Sequence, residues 1–91
     1  MEDEIRRLFL QIIAEQYRVN RHAIYRVSVA EIQRRLWREK YIMVSRQRIG
    51  FVIKRYLRSK NLKKGKDYFE SLSGKTSKRY HIHYKAVPKL F

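Results

Sequence analysis

"AEIQRRLWREKYIMVSRQRIGFVIKRYLRSKNL", residues 30–62, carries two helical patterns divided by a short break. In the second, Ile49, Val52, Ile53, Tyr56 and Leu57 fall on one side of a helix, because successive residues turn by about 100°. Ser45 stands just before them, where a serine oxygen accepts a bond from a first-turn amide, and Asn61 follows at a place suited to a left-handed stop. In the first pattern Val29, Ile32, Leu36 and Trp37 point inward. "SVAE" at 28–31 fits a capping box, in which Ser28 and Glu31 each satisfy an orphan amide. The break, "KYIMV" at 40–44, has no helical period. Helices are therefore predicted over about 29–39 and about 46–60, joined by a tight turn.

The outward positions of the later helix are Arg46, Gln47, Arg48, Phe51, Lys54, Arg55 and Arg58, with no acid among them. A solvated helix face ordinarily mixes signs, since opposite charges three or four residues apart stabilise it and like charges repel. A face with cations alone is suited to a polyanion. Phe51 stands out among these charges. Either it touches a thymine methyl in a DNA groove, or a hairpin or second chain covers it.

Upstream, Ile5, Leu8, Phe9, Ile12, Ile13 and Tyr17 repeat at helical spacing behind the acids Glu2, Asp3 and Glu4, which favour a helix N-terminus. This predicts a first helix over about 2–18, followed by a short strand at Ile24–Val27. Downstream, "KDYFESL" and "KRYHIHYKAV" flank the turn-forming cluster "SGKTS", so a hairpin is predicted over about 66–85, with Pro88 ending the ordered pattern. The 91 residues suit one α+β domain spanning 1–91, with a single modest core.

Lys and Arg number 23 against 8 Asp and Glu, a formal net charge of +15. That excess points to nucleic acid, anionic lipid or an acidic protein as partner. It is uneven: residues 1–45 hold nine cations and six acids, residues 46–91 fourteen and two. The chain has no cysteine, hence no disulfide and no thiolate metal site. No apolar run approaches the roughly 18 residues of a membrane span, and "MEDE" is unlike the basic start of a signal peptide, so a soluble, cytoplasmic protein is expected.

Helix, short strand, helix, tight turn, helix and two-stranded hairpin is the order of the winged helix-turn-helix domain. The chain resembles that family over roughly residues 2–86. The resemblance implies a three-helix winged fold that binds double-stranded DNA, its third helix in the major groove and its wing on the backbone. The role implied is that of a transcription regulator or a chromosome-associated, nucleoid protein. The turn lacks the glycine that many members carry there, and there is no extra C-terminal helix of the kind dimeric regulators often use. A homodimer would use the first helix, the hairpin edge or "VPKLF". Winged helices also occur in RNA-binding, ribosome-associated proteins, and the net charge suits either partner. The shortage of Asn and Gln and the many Arg, Lys and Ile fit a heat-adapted source, such as a small archaeal or archaeal-virus protein.

Arg46, Arg48, Lys54, Arg55 and Arg58 are candidates to neutralise phosphates, and the Gln47 amide can pair with an adenine edge. Lys75, Lys78 and Arg79 place cations about the hairpin tip, for a minor groove or backbone, and Lys60, Lys63, Lys64 and Lys66 extend the strip. Gly50 admits a close neighbour, either the second helix or a sugar-phosphate chain. His81 and His83 share one face of a strand at metal-ligand spacing, but a third ligand would have to be an acid such as Glu70, and such pairs are far more often solvent-facing strand residues whose protonation adds charge at low pH. No nucleophile with an assignable base, glycine-rich phosphate loop or carboxylate pair is present, so neither catalysis nor a cofactor, metal or small-molecule ligand is expected.

Overall fold

The computed structural model describes residues 1–73 and 77–91. Helix α1 spans Glu2–Val19, strand β1 Ile24–Ser28, helix α2 Val29–Lys40 and helix α3 Arg46–Ser59. Strands β2 (Tyr68–Ser73) and β3 (Ser77–His83) and a 3-10 helix at Tyr84–Lys89 complete an α+β arrangement. The three strands form one antiparallel sheet in the order β1-β3-β2.

Each helix buries most of the stripe that its spacing anticipates. Ile5, Leu8, Phe9, Ile12 and Ile13 of α1 meet Val29, Ile32 and Leu36 of α2 and Ile49, Val52, Ile53 and Leu57 of α3 in one cluster. The sheet adds Tyr25, Val27, Tyr68, Tyr80 and Ile82, alternate residues that face the helices. Burying side chains of this size stabilises by about 1.5–3 kcal/mol each before the entropy of ordering is counted. Gln16 anchors the sheet to α1 by bonding both the amide and the carbonyl of Arg26, a link with no sequence signature.

The helix ends follow their predicted chemistry in part. Ser45 Oγ accepts the Arg48 amide at 3.1 Å, as an N-cap should. Asn61 has φ 62°, while Leu62 N–H bonds Leu57 O and Asn61 N–H bonds Arg58 O, so α3 closes in a Schellman motif with Leu62 buried beneath it. The capping box at 28–31 is not formed. Ser28 occupies the N-cap position without a side-chain bond, and the Glu31 carboxylate is drawn to Arg34 and Arg35 instead. The turn after α2 needs no glycine, because Tyr41 itself takes the left-handed conformation at φ 55°.

Three further expectations are corrected. Trp37 lies outside the core, edge-on to Tyr41, because the cluster takes only the narrow stripe through Ile32 and Leu36. Tyr17, at the end of the α1 stripe, stands half exposed and stacks on Tyr25. Pro88 does not end the order: it sits within the 3-10 helix, and Leu90 beyond it is buried while its carbonyl accepts the Tyr56 hydroxyl at 3.1 Å. Proline tolerates such a place because its fixed φ suits a short helical turn.

Candidate nucleic-acid interface

Helix α3 presents Gln47, Arg48, Phe51, Lys54, Arg55 and Arg58 to solvent, and Arg46 is half-buried at its start. The core takes the opposite side, so tertiary packing divides the helix as its periodicity does. Gln33 of α2 holds the first of these residues. Its amide donates to Val44 O at 2.9 Å, and its oxygen accepts Arg46 Nε at 3.0 Å, which ties the turn to the beginning of α3.

The β2–β3 hairpin runs beside this helix. Residues of one parity in each strand face inward: Tyr68, Glu70 and Leu72 in β2 pair with Ile82, Tyr80 and Lys78 in β3. The first rungs enter the core. The Leu72–Lys78 rung outruns it and meets α3, enclosing an open groove of about 550 Å³ lined by Val29, Arg46, Gln47, Gly50, Phe51, Lys54, Leu72 and Lys78. Its walls carry an amide and three cations, and its floor is apolar. Phe51 is 64% exposed and Leu72 68%, so the hairpin flanks Phe51 without covering it.

Gly50 is where helix and sheet come closest. The buried Tyr80 hydroxyl donates to Gly50 O at 3.0 Å, and a Cβ on Gly50 would lie 3.4 Å from the Tyr80 hydroxyl oxygen. The close neighbour is therefore a strand residue, neither the second helix nor a free surface. Burial pushes the Tyr80 phenol far above its ordinary pKa, which favours the protonated form that donates this bond. This bond fixes how far the hairpin stands from α3.

The other predicted residues divide. Arg55 turns from the groove: it pairs with Glu2 at the start of α1, and its guanidinium lies 5.7 Å from the Phe51 ring centre. Arg48 and Arg58 are exposed on α3 but do not line the groove. Lys78 lies on the inward face of the hairpin, where Nζ is 3.7 Å from Glu70 Oε2, with Lys64 Nζ at 3.4 Å from the same oxygen. Arg79 has the opposite parity and points to the other side of the sheet, so Lys78 and Arg79 do not act on one surface. Lys75 lies outside the described residues. Leu72 is the groove residue that the sequence reading omits. The alternation of "YFESL" places it with Tyr68 and would have found it.

His81 and His83 share a face, as expected, but Glu70 lies on the reverse face opposite Tyr80 and cannot join them. His81 Nε2 is 2.7 Å from Ser71 Oγ, and His83 Nδ1 accepts the Lys85 amide at the start of the 3-10 helix. Among the described residues no three His, Asp or Glu side chains are grouped to hold a metal, and no helix is long and apolar enough to cross a membrane. No protein-family model matches the chain, and neither the curated proteins nor the solved structures compared with it give a match.

Proposed function

We propose that this chain is a winged helix-turn-helix protein that binds double-stranded DNA, with α3 in the major groove and the β2–β3 hairpin as a wing along the backbone. The observation that carries the reading is the solvent face of α3, which has cations, one amide and one exposed phenylalanine but no acid, beside a hairpin that turns Lys78 toward it. Lys54, Arg46 and Lys78 are placed to neutralise phosphates on either side of the groove, Arg48 and Arg58 to extend that contact, and Gln47 to meet a base edge. An α-helix enters the wide major groove of B-form DNA and not the narrow one of duplex RNA, which favours DNA over a ribosomal RNA partner. The biological role follows as that of a regulator or an architectural protein of the chromosome.

A competition gel shift with duplex DNA, single-stranded DNA and duplex RNA of equal length tests the proposal. Duplex DNA should compete best. If about six phosphates are contacted, affinity should fall about a thousandfold between roughly 50 and 200 mM salt. An affinity flat over that range, or duplex RNA as the best competitor, refutes the assignment.

A further inference from the structure

The sheet has a second face, turned away from the helices. It is made by the residues that alternate with the buried ones: Ile24, Arg26 and Ser28 of β1, Arg79, His81 and His83 of β3, and Phe69 and Ser71 of β2. None of these is buried, and no carboxylate is among them. The register sets Arg26, His81 and Phe69 in one cross-strand row, with Ser28, Arg79 and Ser71 in the next.

The central row is an ordered stack. The His81 and Phe69 rings are 4.5 Å apart and inclined by 3°. The contact between Ser71 Oγ and His81 Nε2 holds the imidazole in that plane. Strand β2 is an edge of the sheet, so Phe69 ends the row at the border, 45% exposed. Arg26 stands beside His81 in this row and Arg79 beside Ser71 in the next, and burial first, then the charges of these two arginines, hold the His81 pKa below its ordinary value. Aromatic rings with an open end, flanked by cations alone, match a ligand that has both π faces and negative charge. An apolar protein surface would have to desolvate both guanidinium groups.

We propose that this outer face is a second binding site, for unpaired nucleotides of a single-stranded nucleic acid, with one base extending the Phe69–His81 stack and Arg26 and Arg79 on the adjoining phosphates. Stacking on an aromatic ring tolerates any base, because every base has a π face, and the planar guanidinium forks suit phosphate oxygens. The site is independent of the duplex reading. Because Lys78 and Arg79 lie on opposite faces of β3, both surfaces can be occupied at once, as at a junction between paired and unpaired strands.

Fluorescence anisotropy of the full chain with three probes tests it: an oligothymidylate, an abasic strand with the same number of phosphates, and a duplex. The oligothymidylate should bind about tenfold more tightly than the abasic strand. Phe69→Ala should abolish that difference while leaving duplex affinity nearly unchanged and lowering the melting temperature by several degrees as the half-buried ring and its stack on His81 are lost, and Phe69→Trp should preserve the difference. Lys54→Ala should weaken the duplex alone. Equal affinity for the oligothymidylate and the abasic strand in the wild-type chain overturns the proposal without any variant. So does a Phe69→Ala change that alters self-association in sedimentation while the preference for bases persists, since the face would then belong to a second copy. Base-dependent single-strand binding with no duplex binding would support this site while refuting the function proposed for α3.

Discussion

Replacing Phe51 by alanine separates a groove-reading side chain from a structural one. The ring is 64% exposed, so only about a third of the roughly 1.5–3 kcal/mol available from burying a phenylalanine is at stake in folding, about 1 kcal/mol or less. The Arg55 guanidinium at 5.7 Å adds about 0.5 kcal/mol, the usual worth of an exposed cation–π contact. The sum, about 1–1.5 kcal/mol, corresponds to a fall in Tm of about 4–12 °C for a domain of this size. If the ring meets a thymine methyl, affinity for the preferred duplex should fall by roughly 1–3 kcal/mol while binding to an unrelated duplex hardly changes, because base contacts specify and the neighbouring cations hold the backbone. Thermal melts alongside anisotropy with two unrelated duplexes measure both terms. A loss of Tm well beyond this range, with sequence preference intact, would refute the groove assignment and place the ring in an interface.

Other outcomes follow from named contacts. Ile53, 1% exposed, should cost roughly 2–5 kcal/mol on truncation to alanine, whereas the exposed Arg58→Ala should leave chemical denaturation almost unchanged and weaken only duplex binding; equal destabilisation would mean that the faces of α3 are reversed. Gly50→Ala removes the helix penalty of glycine, about 1 kcal/mol, and brings a methyl to ordinary contact with the Tyr80 hydroxyl, so denaturation should show no loss of stability. A loss beyond about 2 kcal/mol there would show that Tyr80 cannot yield. Bonding to Arg35 holds the Glu15 carboxyl below its ordinary 4.5, and bonding to Arg34 and then Arg35 does the same for Glu31, so their stabilisation is complete above about pH 4.5 and lost as pH falls through the lower folded values. His81, also held below its ordinary 6.5, acts in the same direction, since the unfolded chain takes up that proton first. Melting temperature should therefore decline from about pH 6.5 downward, and Arg35→Gln should flatten its acid limb; parallel acid limbs for variant and wild type would remove the cluster from the account. A homodimer using the depression lined by Tyr17, Val87, Pro88 and Phe91 should sediment as a dimer at micromolar concentration and be dispersed by Phe91→Glu; a strict monomer that binds one short duplex rules it out.

The apolar stripes of α1, α2 and α3, the serine before α3 and Asn61 after it were all legible in the sequence, because helix periodicity and caps depend on neighbours within a few residues. The cation-only face of α3 was legible for the same reason: once Ile49, Ile53 and Leu57 face the core, the places of Gln47, Lys54 and Arg58 follow. What the sequence left open depends on partners distant along the chain. Glu31 could cap α2 or pair with arginines, and in the folded chain it pairs with Arg34 and with Arg35, whose guanidinium also takes Glu15 from α1. Gly50 could admit a helix, a phosphate or a strand, and only the packing of β3 against α3 brought the Tyr80 hydroxyl to its carbonyl. Arg55 shares the outward face of α3 with Lys54, but the folded chain carries Glu2 to it and turns it from the groove. Lys78 and Arg79 are adjacent in sequence and chemically alike; pleating sends one toward α3 and the other to the far side of the sheet. Local pattern determined which residues lie on each element's faces, and tertiary structure decided what each face meets, since packing, register and long-range ion pairs are set by residues that no short window contains.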